Sequence, residues 1–136
     1  VYKRQTLHRA FDVCCDPYQA LEQAKQLHID TILTSGQKNT ALEGKELLTE
    51  LLQLAKGEID ILIGSGVKAS VIEQLAKLTG ATSFHMSGKV TLDSPMTYRK
   101  QEVSMGLPLV SEYTLWQTSA EEIAKAKAVL TSAVNQ

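Results

Sequence analysis

The chain has 136 residues, of which 43% are hydrophobic and 21% are charged, and its formal net charge is −1. This length suits one domain, and this composition is typical of a chain that folds around a hydrophobic core. Because a nucleic-acid-binding domain usually carries a surplus of basic residues, no nucleic-acid partner is expected. No apolar run reaches the roughly 20 residues that span a bilayer, so no membrane association is expected either.

Residues 1–5 read VYKRQ, and the chain does not begin with Met. We interpret these five residues as a scar of sequence assembly and exclude them from the reasoning about the fold. The expectation is a single, partial domain over residues 1–136 whose natural upstream part is missing.

Four short β-rich segments follow in chain order, at residues 6–9, 31–34, 60–63 and 82–86. The second and third are nearly continuous apolar runs, which is typical of parallel strands covered on both faces. Helical periodicity separates the strands, at residues 17–27, 40–56, 68–79 and 119–134. This alternation predicts an α/β fold in which parallel strands carry their helices on the outside.

Local signals support the helix boundaries. Asp16 and Pro17 form a typical helix start, since Asp caps free N–H groups and Pro fits the first turn. His28 stands where a glycine would usually end that helix, and a left-handed backbone is predicted there. The segment from residue 87 to residue 118 carries no predicted element, and a loop of that length is often functional.

Polar residues and glycines follow the end of each predicted strand. In a parallel sheet these ends share one edge, and ligands bind there. The sequence therefore predicts an anion-binding or ligand-binding site at that edge. Arg99 of the long loop would either close over the ligand as an added cation or lie on a solvated surface, and the second alternative is favoured. The predicted site residues are Arg9, Ser35, Gly36, Gly64, Ser65, Gly66, Ser87, Gly88 and Arg99.

His8, Arg9 and His85 are the candidates for catalysis. A histidine titrates near neutral pH and can act as acid or base, although a lone strand histidine is more often a hydrogen-bonded core residue. Arg9 can hold a carboxylate or a phosphate with two hydrogen bonds, or it can form a structural ion pair, for example with Asp12. Both alternatives stay open for Arg9 at this point.

The sequence has two cysteines, and they are adjacent, at Cys14 and Cys15. This usage excludes a disulfide framework and predicts a reducing, cytoplasmic location. Thiolates suit Cu(I) or Zn²⁺, but no Cys-x-x-Cys motif and no histidine at ligand spacing accompany them. Cys14 and Cys15 are therefore weak candidates for metal binding, and a packing role is favoured.

Four strings in this sequence stand out, HRAFD at 8–12, ILTSGQ at 32–37, GSGV at 64–67 and SPMTYR at 94–99. Together they resemble the C-terminal half of the CutC copper homeostasis family. The resemblance extends over about residues 6–130 and implies half of a TIM-type (β/α)8 barrel, with these units as its strands five to eight. It also implies a cytoplasmic protein that binds copper, although the cysteines proposed as ligands in the family lie mainly in the other half.

The sequence leaves three alternative functions open. The first is copper homeostasis of the CutC type, with copper binding and intracellular trafficking or tolerance. The second is a TIM-barrel enzyme acting on a small anionic or phosphorylated metabolite, for which GSGV would form part of a phosphate cradle. The third is a half-barrel without activity of its own. Because a half-barrel leaves two sheet edges unpaired, we also expect the chain to form homo-oligomers.

Overall fold

The computed structural model describes residues 3–100, 102–103, 105–106 and 111–134, and it is an α/β structure. Three strands form a parallel sheet in the order β1-β2-β3, and two later strands form an antiparallel hairpin. The strands are β1 (Thr6–Leu7), β2 (Thr31–Thr34), β3 (Asp60–Ile63), β4 (Lys89–Asp93) and β5 (Thr114–Thr118). The helices are α1 (Pro17–Gln26), α2 (Lys45–Ala55), α3 (Ala69–Thr79) and α4 (Ala120–Val134).

The parallel sheet confirms the predicted strands at residues 31–34 and 60–63, which pair in register from Thr31 opposite Asp60 to Thr34 opposite Ile63. The first strand is shorter than predicted. It ends at Leu7, because the backbone turns into a 3-10 helix at Arg9–Val13. His8 and Arg9 therefore stand just beyond the strand end.

The prediction of a full strand at residues 82–86 was wrong. This segment joins the sheet at one residue, where Phe84 forms a parallel bridge with Ile63. Two hydrogen bonds hold it, from Ile63 N to the Ser83 carbonyl (3.0 Å) and from His85 N to the Ile63 carbonyl (2.8 Å). In the described residues this segment has no strand on its other side, so nothing extends the ladder. The contact nevertheless fixes His85 beside the end of β3.

One face of the parallel sheet carries the hydrophobic core. Ile32, Ile61 and Ile63 are buried there, whereas Leu33 and Leu62 on the opposite face are only half-buried. The expectation of strands covered on both faces is therefore met on one face only. Helix side chains complete the core, among them Leu21, Leu48, Leu51 and Leu75.

The boundaries of α1 confirm the local signals. The Asp16 carboxylate accepts hydrogen bonds from Tyr18 N (2.9 Å) and Gln19 N (3.0 Å), and Pro17 begins the helix. His28 has a φ of 55°, the left-handed conformation predicted for it.

Part of the segment between residues 87 and 118 is an antiparallel hairpin that the sequence reasoning missed. β4 and β5 pair from Lys89 opposite Thr118 to Asp93 opposite Thr114. The hairpin lies outside the parallel sheet, and the Lys89 ammonium lies 4.2 Å from the ring centre of Trp116. The prediction of parallel units alone therefore needs this correction.

The start of α2 also differs from prediction, because the chain turns from residue 41 to residue 44 before the helix begins at Lys45. A close backbone contact explains this turn. A Cβ atom on Gly44 would lie 2.0 Å from the Ser35 carbonyl oxygen and 2.9 Å from the Gly36 Cα. The turn before α2 thus packs directly on the loop after β2, and only a glycine fits between them.

We predict that Gly44→Ala lowers the free energy of unfolding by about 3 kcal/mol or more, because backbone atoms must move to admit the methyl group. Gly80→Ala is the control. Gly80 ends α3 with a φ of 73° and open space around it, so only the strain of a left-handed alanine, about 1 kcal/mol, is expected. Urea unfolding measures both, and equal losses would contradict the steric explanation.

Candidate functional site

The Asp12 carboxylate is the centre of a polar network that joins the 3-10 helix to the end of β2. Its Oδ1 accepts from the Thr34 hydroxyl (2.5 Å) and from Gln37 N (3.1 Å), and its Oδ2 accepts from Arg9 Nε (2.6 Å). Ser35 adds its backbone N–H (3.1 Å) and its hydroxyl (3.0 Å). The Asp12 side chain is only 6% exposed. Five donors from four residues thus hold one buried carboxylate.

The hydrogen bonds decide the ionisation of Asp12. Burial raises the pKa of the carboxyl group, but the Thr34 hydroxyl, the Arg9 guanidinium and the backbone N–H groups of Gln37 and Ser35 together lower it below its ordinary value. Asp12 is therefore charged at neutral pH. Its charge is balanced by Arg9, so the ion-pair alternative for Arg9 is realised.

The ion pair with Asp12 leaves part of the Arg9 guanidinium available for other contacts. Its Nη2 donates to the Ser35 hydroxyl (2.7 Å) and to the Lys38 carbonyl (3.3 Å), while its Nη1 has no hydrogen bond to any residue that the structure describes. The Arg9 side chain is 42% exposed. It is thus oriented by Asp12 and Ser35 and still offers one nitrogen to a ligand.

A cavity of about 640 Å³ lies where the strands β2 and β3 end. It brings together six of the predicted site residues, Arg9, Ser65, Gly66, His85, Ser87 and Gly88. Lys68, Lys89 and Glu122 also line it, and the sequence reasoning missed them. Lys68 and Lys89 directly follow GSGV and Ser87-Gly88, so their positions in the chain carried a signal. Glu122 comes from α4, and only the folded chain brings it to the cavity.

The two glycines of the turn at residues 64–66 have different surroundings. A Cβ on Gly64 would lie 2.7 Å from Leu33 Cδ1, so any larger residue would displace the Leu33 side chain. Gly66 has a φ of 68°, a conformation that favours glycine. Ser65 between them has a φ of 80°, and its hydroxyl donates to the Asn39 carbonyl (2.7 Å). That hydroxyl therefore braces the turn, and the glycine backbone lies at the cavity.

Other predicted site residues do not line the cavity. His8 caps the 3-10 helix, with its Nδ1 accepting from Ala10 N (3.0 Å). Ser35 and Gly36 lie behind Arg9, and Gly64 is buried between Leu33 and His85.

Arg99 lies beside the hairpin instead of closing over the cavity. Its Nη2 donates to Asp93 (2.5 Å) and to the Ser94 carbonyl (2.7 Å), and its guanidinium lies 5.0 Å from the ring centre of Tyr113. The hydrogen bond from Arg99 lowers the pKa of the Asp93 carboxyl. Arg99 therefore stabilises the end of β4.

The cysteines do not form part of a metal centre in the described residues. Cys14 and Cys15 are free thiols, and Cys14 Sγ accepts from Gln37 Nε2 at 3.4 Å. Within those residues no three His, Cys, Asp or Glu side chains come close enough to hold a metal ion. Cu(I) prefers soft ligands, and Cys14 and Cys15 are the two thiols that the chain offers to it.

Among the described residues, no helix has the length and the apolar composition that a transmembrane segment needs.

The parallel sheet and the cavity at its strand ends define the class, an α/β protein with its polar side chains gathered at one sheet edge. Comparison with known proteins identifies the family. The sequence model of the CutC family matches residues 4–90, so the chain belongs to the CutC family.

Individual relatives agree with this assignment. A CutC family protein from Parabacteroides distasonis is 45% identical over 119 residues, which are 87% of this chain and 49% of that protein. The copper homeostasis protein cutC homolog of Homo sapiens is 39% identical over 125 residues, 91% of this chain and 46% of that protein. The crystal structure of CutC from Streptococcus agalactiae aligns with a TM-score of 0.57 at 28% identity, over 60% of this chain and 41% of that one. The chain therefore spans about half the length of the curated relatives it matches.

We predict that Asp12→Asn lowers the free energy of unfolding by about 2 kcal/mol near neutral pH, because an amide cannot balance the charge of Arg9. The pKa of Asp12 is lower in the folded than in the unfolded chain. The stabilisation is therefore complete above the unfolded value of about 3.9 and is lost as the pH falls through the folded value.

Urea unfolding of both proteins from about pH 7 to about pH 3 measures this difference. Asp16→Asn is the control, since asparagine also caps a helix and little change is expected. A difference between Asp12→Asn and the parent protein that stays constant down to the lowest pH would contradict the role of the charge.

Proposed function

We propose that the protein acts in copper homeostasis, binding copper during its intracellular trafficking or in copper tolerance, in the cytoplasm. The observation that carries this proposal is membership of the CutC family, whose human member is named a copper homeostasis protein. The free thiols of Cys14 and Cys15 suit a reducing compartment and a soft metal ion. We further propose that the parallel sheet is part of a TIM-type barrel, as the alignment with the Streptococcus agalactiae structure supports.

The geometry places a limit on how this chain takes part. Because no third His, Cys, Asp or Glu lies close to the two thiols in the described residues, we do not assign a resident copper centre to them. Copper is the cargo of the protein in this proposal, and Cys14 and Cys15 supply some of its ligands. The remaining ligands would come from a partner or from another part of a longer protein.

This proposal predicts that the untagged protein binds Cu(I) and that the double variant C14S/C15S loses at least about 90% of that binding, since serine is a poor ligand for a soft ion. Competition with a chromophoric Cu(I) chelator under reducing conditions measures the bound copper. His28→Asn is the control, because asparagine tolerates the left-handed backbone there and the imidazole lies in another part of the chain. Unchanged copper in the double variant would remove Cys14 and Cys15 from the site, and no copper in any protein would contradict binding by this chain.

A second candidate is an enzyme that acts on a small anionic or phosphorylated metabolite. One observation favours it, namely that the cavity brings Arg9 and His85 together with Lys68 and Lys89. In this candidate the basic side chains hold the substrate and His85 transfers a proton. His8 is no longer a catalytic candidate here, because it caps the 3-10 helix outside the cavity.

The enzyme candidate predicts that His85→Gln lowers turnover by about 100-fold or more, since general acid–base catalysis contributes that much. The measurement is the conversion of phosphorylated metabolites in a cell extract, followed by mass spectrometry with each protein. His8→Gln is the matched control and should keep full activity. If the parent protein converts no metabolite in the extract, or if both variants convert it equally, the candidate fails.

A further inference from the structure

The cavity carries more positive charge than its own carboxylates balance. Lys68 and Lys89 both line it, and neither forms an ion pair with a residue that the structure describes. Glu122 lines the cavity as well, and it shares Lys125 with Glu121, at 3.0 Å and 2.8 Å respectively. With Arg9 balanced by Asp12, Lys68 and Lys89 outnumber Glu122, so the cavity keeps a net positive charge that suits an anionic group such as a phosphate monoester.

Backbone and side-chain donors accompany these charges. The N–H groups of Gly66 and Val67 have no hydrogen-bond acceptor among the described residues, and both residues line the cavity. Ser65 and Gly66 have φ values of 80° and 68°, and the bond from Ala41 N to the Ser65 carbonyl (3.0 Å) fixes their turn. Successive N–H groups in a fixed turn form a concave surface that suits an anion.

The remaining polar side chains at the cavity are also available. The Ser87 hydroxyl and the His85 imidazole have no hydrogen bond to a described residue, and Arg9 keeps its Nη1. A phosphate group accepts several hydrogen bonds on three oxygens, so it can use donors that converge from different strand ends. The volume of about 640 Å³ also leaves room for the organic part of a small molecule.

We infer that this cavity binds the phosphate group of a small phosphorylated molecule, with Lys68, Lys89 and the backbone of Gly66 as its principal contacts. The inference deepens the second candidate function and rests on the same cavity, but it needs no catalytic step. It is independent of copper, because neither cysteine lines the cavity.

The single tryptophan of the chain provides a direct signal for binding. Trp116 lies on β5, and the Lys89 ammonium stands 4.2 Å from its ring centre. A phosphate that pairs with Lys89 weakens this cation–π contact and changes the electric field at the indole. Binding in the cavity should therefore change the fluorescence of Trp116.

The test titrates the 136-residue chain with glycerol 3-phosphate, with inorganic phosphate and with glycerol, and it follows Trp116 fluorescence and calorimetric heat. Saturable binding of glycerol 3-phosphate is expected, with weaker binding of inorganic phosphate and none of glycerol. Binding of inorganic phosphate as tight as that of the ester would overturn the assignment to a phosphorylated molecule. The absence of saturation with both phosphate compounds up to about 10 mM would overturn the site itself.

Three lysine variants test the location. Lys68→Gln should weaken the binding of glycerol 3-phosphate by about tenfold or more, because it removes a charged donor. Lys127→Gln removes the same charge from α4 outside the cavity, and a change below about twofold is expected. Circular dichroism confirms that both variants fold, and Lys68→Arg should keep most of the affinity because it restores the charge. Equal effects of Lys68→Gln and Lys127→Gln would contradict the inference.

The C14S/C15S variant separates this inference from the copper proposal. It should bind glycerol 3-phosphate like the parent protein, since Cys14 and Cys15 lie outside the cavity. Loss of phosphate binding in this variant contradicts the proposed location. A parent protein that binds copper but no phosphate contradicts this inference alone.

Discussion

The buried Asp12 carboxylate is the constraint on which the strand-end region depends. A charge at this depth is tolerated only when donors surround it, and here Thr34, Ser35, Gln37 and Arg9 supply them. These donors lie on the 3-10 helix, at the end of β2 and in the loop after it, so the fold has to bring these segments together. The same bonds therefore order the loop after β2 and aim the Arg9 guanidinium. Arg9 reaches the cavity in a fixed orientation because its other nitrogens are already occupied.

The strands at 31–34 and 60–63 and the first helix follow from local chemistry, and for that reason the sequence predicted them well. The runs at 31–34 and 60–63 are apolar and short, and Asp16 with Pro17 marks the start of α1. The segment at 82–86 was also predicted as a strand but forms one bridge, because a strand needs a neighbour as well as propensity. Neighbours are a property of the fold, and composition does not contain them.

The cavity shows the same division between local and long-range information. Position after a strand was enough to indicate Arg9, Gly66 and His85, since parallel strands bring their ends to one edge. It was not enough for His8, whose imidazole turns back to cap its own helix, or for Arg99, which Asp93 holds at the hairpin. Glu122 lies more than 30 residues from His85 in the chain, and only the packing of α4 on α3 brings it near. Side-chain direction and helix packing therefore determine which residues line the cavity, and strand order alone does not.

The contact between Gly44 and the loop at Ser35 and Gly36 has a consequence for how the molecule opens. These backbones touch so closely that the loop cannot loosen while the turn before α2 stays in place. The Ser35 amide is also bonded to Asp12. Its hydrogen exchange with solvent should therefore require that α2 detach, so that the loop and the helix open as one cooperative unit. Arg9 would then keep its orientation during small fluctuations and lose it only when the loop and α2 open together.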